Sequence, residues 1–224
     1  MKNKNNYDYL LSDLTQLTGV GKKTMTILKK KKVNNIFDLL WRLPKSYTDR
    51  SLSSKINELQ VGNIHTIKVV PLKYNFPRVR NLPNRVNCED ETGKIDCIFF
   101  NSYEGYIRKI LPLNEEVTVS GKISIFRNRY QITNPTYVSK DSSIIEKVHN
   151  KYSLTEGISE KVYNKIITQI LKNLPILNEW HNDETLKNFG KESWNSSIIK
   201  LHDPVNIANY ESNFYRRLAY DEIL

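Results

Sequence analysis

The chain has 224 residues, 39% of them hydrophobic and 26% charged, with a formal net charge of +10, which suits a soluble globular protein of one large or two small cores. Mean hydropathy is −0.54, and no apolar run approaches the roughly 20 residues of a membrane span. Together with a polar N-terminus lacking any signal-peptide stretch, this leads to the expectation of a cytoplasmic protein.

The positive charge is unevenly spread. Residues 1–50 hold 11 basic and 4 acidic side chains, 51–140 hold 13 and 8, and 141–224 hold 10 and 12. A coding bias toward lysine and asparagine would act evenly, so an anion-facing surface belongs in the first 140 residues. The pattern divides the chain into a helical N-terminal region (1–54), a β-barrel (55–140) and a helical segment (141–224), an α+β class.

In the first region, Leu10 to Lys32 reads as two short helices around Gly19-Val20-Gly21. Leu14 and Leu17 precede the glycines at helical spacing; Met25, Ile27 and Leu28 follow. Two glycines around one apolar residue permit a tight turn whose backbone N–H groups could receive a phosphate, with Lys22 and Lys23 adding charge. The alternative is that Gly19 and Gly21 only close a helical hairpin. A P-loop is excluded, because Gln16 stands where it needs glycine and Lys23 where it needs Ser or Thr. Lys29-Lys30-Lys31-Lys32 suits a helix C-terminus. Ile36 to Leu43 forms a further helix burying Phe37, Leu40 and Trp41, stopped by Pro44.

From Ile56 the pattern turns to β-strands. Ile64–Lys73 is rich in β-branched residues, and a loop at 75–84 carries Arg78 and Arg80. Arg85–Asp90 and Lys94–Phe100 then flank the turn Glu91-Thr92-Gly93. Asn101–Ile110 reads as a helix. Glu116–Phe126 and Tyr130–Val138 are strands joined by the basic turn Arg127-Asn128-Arg129. Three strands, a helix and two strands is the order of an OB-fold barrel.

Alternation in Lys94–Phe100 puts Ile95, Cys97 and Phe99 on one face and Asp96, Ile98 and Phe100 on the other. Asp96 should mark the less buried face, leaving Phe99 in the core and Phe100 exposed. An exposed Phe100 beside Tyr103 and Tyr106 in a basic domain suits stacking on unpaired bases; the alternative is a helix covering Phe100. Cys88 and Cys97 lie equidistant from the turn and read as small buried side chains facing each other. The four histidines have no ligand spacing, and nothing suggests catalysis or a metal site. In the last region Glu160–Leu174 is a helix ended by Pro175. Further helices fall near Glu184–Phe189, Ser193–Leu201 and from Asn206 onward, the last running to Leu224 with no stop signal, as a truncated chain would.

An ordered set of segments resembles the N-terminal region of RecG-type branched-DNA helicases. They are L-T-G-V-G-K-K at 17–23, D-L-L-W-R-L-P-K-S-Y-T-D-R at 38–50, D-E-T-G-K at 90–94, F-F-N at 99–101, G-K-I-S-I-F at 121–126 and Q-I-T-N-P-T-Y at 131–137. Y-S-L-T-E-G-I-S at 152–159, L-H-D-P at 201–204 and R-R-L-A-Y-D-E-I-L at 216–224 continue the series. The resemblance implies an OB-fold wedge that splits strands at replication forks and four-way junctions in repair and recombination. It also implies helicase motor domains C-terminal to this chain, which alone would use ATP and Mg²⁺. In the family an aromatic at the end of the F-F-N strand stacks on a junction base, a role that falls to Phe100. A second aromatic four residues later is Glu104 here, leaving Tyr103 or Tyr106 to substitute, and the usual histidine before proline is Asn134. On this reading a monomer binds branched DNA through Phe100, with Arg78, Arg80, Arg85, Arg127 and Arg129 holding phosphates of the separated arms. The alternatives are a general single-stranded DNA or RNA-binding OB domain and a protein-interaction module.

Overall fold

The computed structural model describes residues 6–79, 82–153, 157–206 and 210–223. In chain order they form α1 (Asn6–Leu10), α2 (Lys22–Lys30), α3 (Ile36–Leu40), β1 (Ser46–Asp49), β2 (Ser53–Ser54), β3 (Ile64–Asn75), β4 (Asn84–Asp90) and β5 (Gly93–Phe99). Next come α4 (Glu104–Ile110), β6 (Val117–Phe126), β7 (Arg129–Thr133), β8 (Tyr137–Ser139), β9 (Val148–Lys151), α5 (Glu160–Lys172), α6 (Asp183–Lys187), α7 (Trp194–Leu201) and α8 (Asn213–Ile223). Residues 49–148 make one unit; the described chain up to Thr48 and from His149 onward makes the other. The two helical stretches that are separate in sequence thus share one core.

The barrel unit follows the expected strand order. β3 pairs with β6 through its first half, Ile64 to Val69, and with β4 through its second, Val70 to Asn75. The register shifts between Pro71 and Lys73, and this bulge bends one long strand across both partners. β4 and β5 form the hairpin, β5 runs parallel to β7, and β6 pairs with β7 and β8. With β3–β6 closing the ring of β3, β4, β5, β7 and β6, none of these five strands is left as an open edge, and β2 and β8 flank the ring. The interior is apolar: Ile67, Val69, Val86, Ile95, Phe99, Val117, Val119, Ile123 and Ile132, joined by Ile107 of α4, Leu111 after it, and Ile56. Gly121 is needed where β6 crosses, since a Cβ there would meet Ile132 Cγ2 at 2.5 Å. The expected last strand is broken: Asn134 takes a left-handed φ of 45° and separates β7 from β8.

Three expectations for the hairpin are corrected. Asp90 pairs with Gly93, so the turn is the two residues Glu91 and Thr92, and Cys88 lies opposite Ile95 while Cys97 lies opposite Val86. The cysteines are therefore diagonal neighbours, with their sulfurs 4.0 Å apart. The contact with Cys97 and burial push the Cys88 thiol well above its usual range. Asp96, expected on the less buried face, is 1% exposed. It does point away from the barrel interior, but polar side chains from both neighbouring strands cover it.

In the helical unit, Leu14, Leu28, Ile36, Leu39 and Leu40 pack with Tyr163, Ile166, Ile170, Trp194, Ile198 and Leu218. The expected helix before Gly19 is a single 3₁₀ turn at Leu14–Gln16, capped by Asp13 and followed by Gly19 at φ 99°, a conformation glycine adopts without a Cβ penalty. α3 ends earlier than expected, and its core face is Ile36, Leu39 and Leu40. Phe37 and Trp41 are half-buried and stack on each other 5.0 Å apart. α5 matches expectation closely, with Ser159 accepting from the Val162 N–H as its cap. β1 and β9, which the pattern did not suggest, form a two-stranded sheet.

Polar groups are built into this core. His202 Nε2 donates to the Leu40 carbonyl at 2.9 Å and its Nδ1 accepts from the Tyr152 hydroxyl at 2.9 Å, while Asn150 donates to the His202 carbonyl. Arg217, fully buried, places both terminal nitrogens on Glu179 at 2.9 Å. Its Nε reaches Asp221 at 3.0 Å and one terminal nitrogen also reaches the Glu192 carbonyl at 2.8 Å.

Candidate nucleic-acid interface

β5 positions the most informative side chain. Val86 and Cys88 of β4 and Ile95, Cys97 and Phe99 of β5 fill the barrel, so period-2 alternation sends Phe100 outward at the strand's end. Phe99 is 4% exposed and Phe100 46%, as strand alternation required. The chain then bends through Asn101, at φ 56°, into α4. Tyr103, at the cap position of that helix, is 87% exposed, and Tyr106 in its first turn is also exposed. Glu104 pairs with Arg108 at 4.0 Å.

The same end of the barrel carries the β3–β4 loop, because Asn84 at the start of β4 lies opposite Phe99. Arg78 in that loop is exposed, as are Val79 and Leu82. Arg80 lies outside the described residues. Nearby, Tyr74 and Phe76 stack 5.1 Å apart, with the Arg108 guanidinium 4.6 Å and 4.9 Å from their centroids. That ring-and-guanidinium stack was missed in the sequence, although Tyr74 and Phe76, two residues apart at a strand end, share one face.

Arg127 and Arg129 are at the other end. β7 runs parallel to β5 with Tyr130 opposite Ile95, so the β6–β7 turn lies near the start of β5 and Phe100 beyond its finish, about 20 Å apart at ~3.3 Å per residue. Arg127 and Asn128 both have positive φ, 49° and 59°, the conformation of a two-residue hairpin turn. The Arg127 guanidinium lies 5.3 Å over the exposed Phe126 ring.

Between the two ends, on the outer face of β4, β5 and β7, Asp96 collects charge. Asn87 donates to it at 2.6 Å; Arg85 and Arg129 approach from opposite directions to 3.4 Å and 3.5 Å. These contacts are why a carboxylate is buried on an outward face: the cover is tertiary, and strand alternation does not report it. They also mean that two of the expected phosphate-holding arginines already stand beside a carboxylate, whereas Arg78 and Arg127 show no acid this close among the described residues. Gly19, Gly21, Lys22 and Lys23 lie in the helical unit. Gly21 is the N-cap of α2, and Lys22 and Lys23 are exposed in its first turn. The arrangement brings together Phe100, Tyr103, Tyr106 and Arg78 at one barrel end, sets Arg127 and Arg129 at the other, and places Arg85 between.

A family model described as the RecG wedge domain matches residues 13–174. A curated ATP-dependent DNA helicase RecG from Staphylococcus epidermidis is 30% identical over 203 residues, covering 88% of this chain and 29% of that protein. One from Staphylococcus aureus is 27% identical over 202 residues, covering 85% of this chain and 28% of that protein. The chain thus spans less than a third of the length of these relatives. Among solved structures, RecG bound to a three-way DNA junction superposes with a TM-score of 0.71 at 24% identity, over 96% of this chain and 30% of that one.

Proposed function

The chain belongs to the RecG wedge domain family, and from that premise we propose that it binds branched DNA and separates strands at the branch point as the wedge of a RecG-type helicase. The observation that carries this is Phe100, half-exposed at the barrel rim directly after a buried Phe99. A ring held there can cap the last base pair of a duplex whose strands part around it, replacing base–base stacking with base–aromatic stacking. Tyr103, Tyr106 and Arg78 border the same rim and suit the unpaired strand. An arm running along the β4–β5–β7 face toward Arg127 would meet Arg85 and Arg129 on the way, and Lys22 and Lys23 are further candidates for phosphate. In this reading the protein is a cytoplasmic monomer, and ATP and Mg²⁺ serve motor domains C-terminal to this chain. Among the described residues no helix is long and apolar enough to cross a membrane.

The test pairs the two adjacent phenylalanines. Phe100→Ala should weaken fork binding by roughly 1–3 kcal/mol, affect plain duplex much less, and leave the melting temperature intact. Phe99→Ala should instead cost about 3–5 kcal/mol of stability through the cavity it leaves. Fork, single-strand and duplex titrations with thermal melts check this. Equal losses on fork and single strand, with duplex unaffected, would indicate a general single-strand binder instead.

A further inference from the structure

β5 ends as a strand at Phe99, yet the segment that follows is held from both sides. Asn134, just past β7, donates its N–H to the Ile98 carbonyl at 2.7 Å. Its side-chain Oδ1 accepts the Phe100 N–H at 2.9 Å. The amide side chain therefore supplies the acceptor that a longer β7 would have offered from its backbone. On the opposite strand, Asn84, which sits across from Phe99, donates its side-chain amide to the Ser102 carbonyl at 2.8 Å. Asn134 makes its two bonds from a left-handed φ of 45°, a region few non-glycine residues occupy and asparagine enters more readily than most.

We infer that Asn134, assisted by Asn84, is a positioning residue that fixes the attitude of the Phe100 ring at the barrel rim. The inference rests on the wedge reading of Phe100. A half-exposed ring on an unpaired chain end would share the motion of its backbone, and ordering it would be charged against binding at each encounter. Pinning the N–H of residue 100 and the carbonyl of residue 102 meets that cost in advance. The role differs from that of the barrel core, because the Asn134 contact is at the surface and the barrel closes without it.

Asn134→Gly is the discriminating variant, since glycine accepts the positive φ and removes only the acceptor. Asn134→Asp keeps the acceptor. Dissociation constants for a fork and for plain duplex, the fluorescence of 2-aminopurine at the branch point, and thermal melts are compared across both, with Phe100→Ala as reference. Asn134→Gly should lose about threefold to tenfold of the fork-over-duplex preference, the range one hydrogen bond of ordinary net strength covers. It should also lose part of the 2-aminopurine change, while its duplex affinity stays that of the parent. Asn134→Asp should keep the preference even though its added charge weakens binding to both DNAs. An unchanged ratio in Asn134→Gly beside a lost ratio in Phe100→Ala overturns the positioning role. An unchanged ratio in Phe100→Ala overturns the wedge reading itself. Should Asn134→Gly unfold, Asn84→Ala decides: a partial loss of preference supports the clamp, and an unchanged ratio rejects it.

Discussion

In the barrel the interior is hydrocarbon and sulfur, and the buried charged groups among the described residues lie outside it: Asp96 under a cover of Arg85, Arg129 and Asn87, and Arg50 on the Ser120 hydroxyl. In the helical unit the ionisable groups are inside: Arg217 between Glu179 and Asp221, and His202 between the Leu40 carbonyl and the Tyr152 hydroxyl. The barrel holds its shape by closure and apolar packing, which leaves its rim and outer face free for charged and aromatic side chains with other work. The helical unit joins short helices and a two-stranded sheet from distant parts of the chain. Hydrogen bonds and ion pairs supply the direction that apolar contacts between such short pieces lack.

The sharpest way to break this contrast is Arg217→Met, which leaves Glu179 and Asp221 without their guanidinium. Removing one partner of a buried ionic cluster costs about 3–5 kcal/mol. Trp41, Trp180 and Trp194, the three tryptophans of the chain, all belong to the helical unit, so denaturant titration followed by tryptophan fluorescence reads that loss directly. A shift of under about 1 kcal/mol would mean that apolar packing alone holds α8.

Acid should separate the units next. Burial depresses the His202 pKa to about 4 from an ordinary 6.5, so the folded state resists a proton that the unfolded state accepts. The stability due to this group is complete above pH 6.5 and is lost as pH falls from 6.5 toward 4, a total of about 3 kcal/mol at ~1.4 kcal/mol per unit. Tryptophan-monitored stability should fall across that window and lose its slope in His202→Gln, while the protection of β3 and β6 amides relative to their intrinsic exchange rates should lack any comparable dependence.

The smallest effect sharpens the barrel side. Arg127→Ala should flatten the salt dependence of fork binding by about one unit, whereas Arg129→Ala should change it less, because Asp96 already stands beside Arg129. Equal changes from the two substitutions would show that Asp96 yields its arginine to phosphate.

The barrel was legible because its signal is local. Val86, Cys88, Ile95, Cys97 and Phe99 alternate along two strands around one turn, and that alternation alone separates Phe99 from Phe100. Asp96 was misread because the same rule says which way a side chain points, and Arg85 and Arg129 arrive from other strands to cover it. The helical core was legible where the period is strong, as at Ile166, Ile167 and Ile170 of α5. It was illegible at Arg217, His202 and Asn150, polar residues that read as surface until their partners, some 25 to 160 residues away, are known. β1 and β9 are four residues each, with no apolar alternation to announce them. Asn134 registered only as a departure from a family pattern; its partner, a backbone N–H, leaves no trace in a sequence.

The barrel begins and ends at one place: the Arg50 N–H donates to the Lys147 carbonyl at 3.2 Å. To the helical core, one hundred residues of intervening chain are therefore an insertion whose ends already meet once the barrel has folded. Left as a disordered loop, the same length would oppose closure of that core by about 4 kcal/mol of chain entropy. On a ribosome the order follows from synthesis as well. The apolar faces of α1, α2 and α3 emerge first, and their partners from β9 to α8 arrive only after the whole barrel has been made. The barrel is thus both an insertion into the helical core and the splint that lets its two halves find each other.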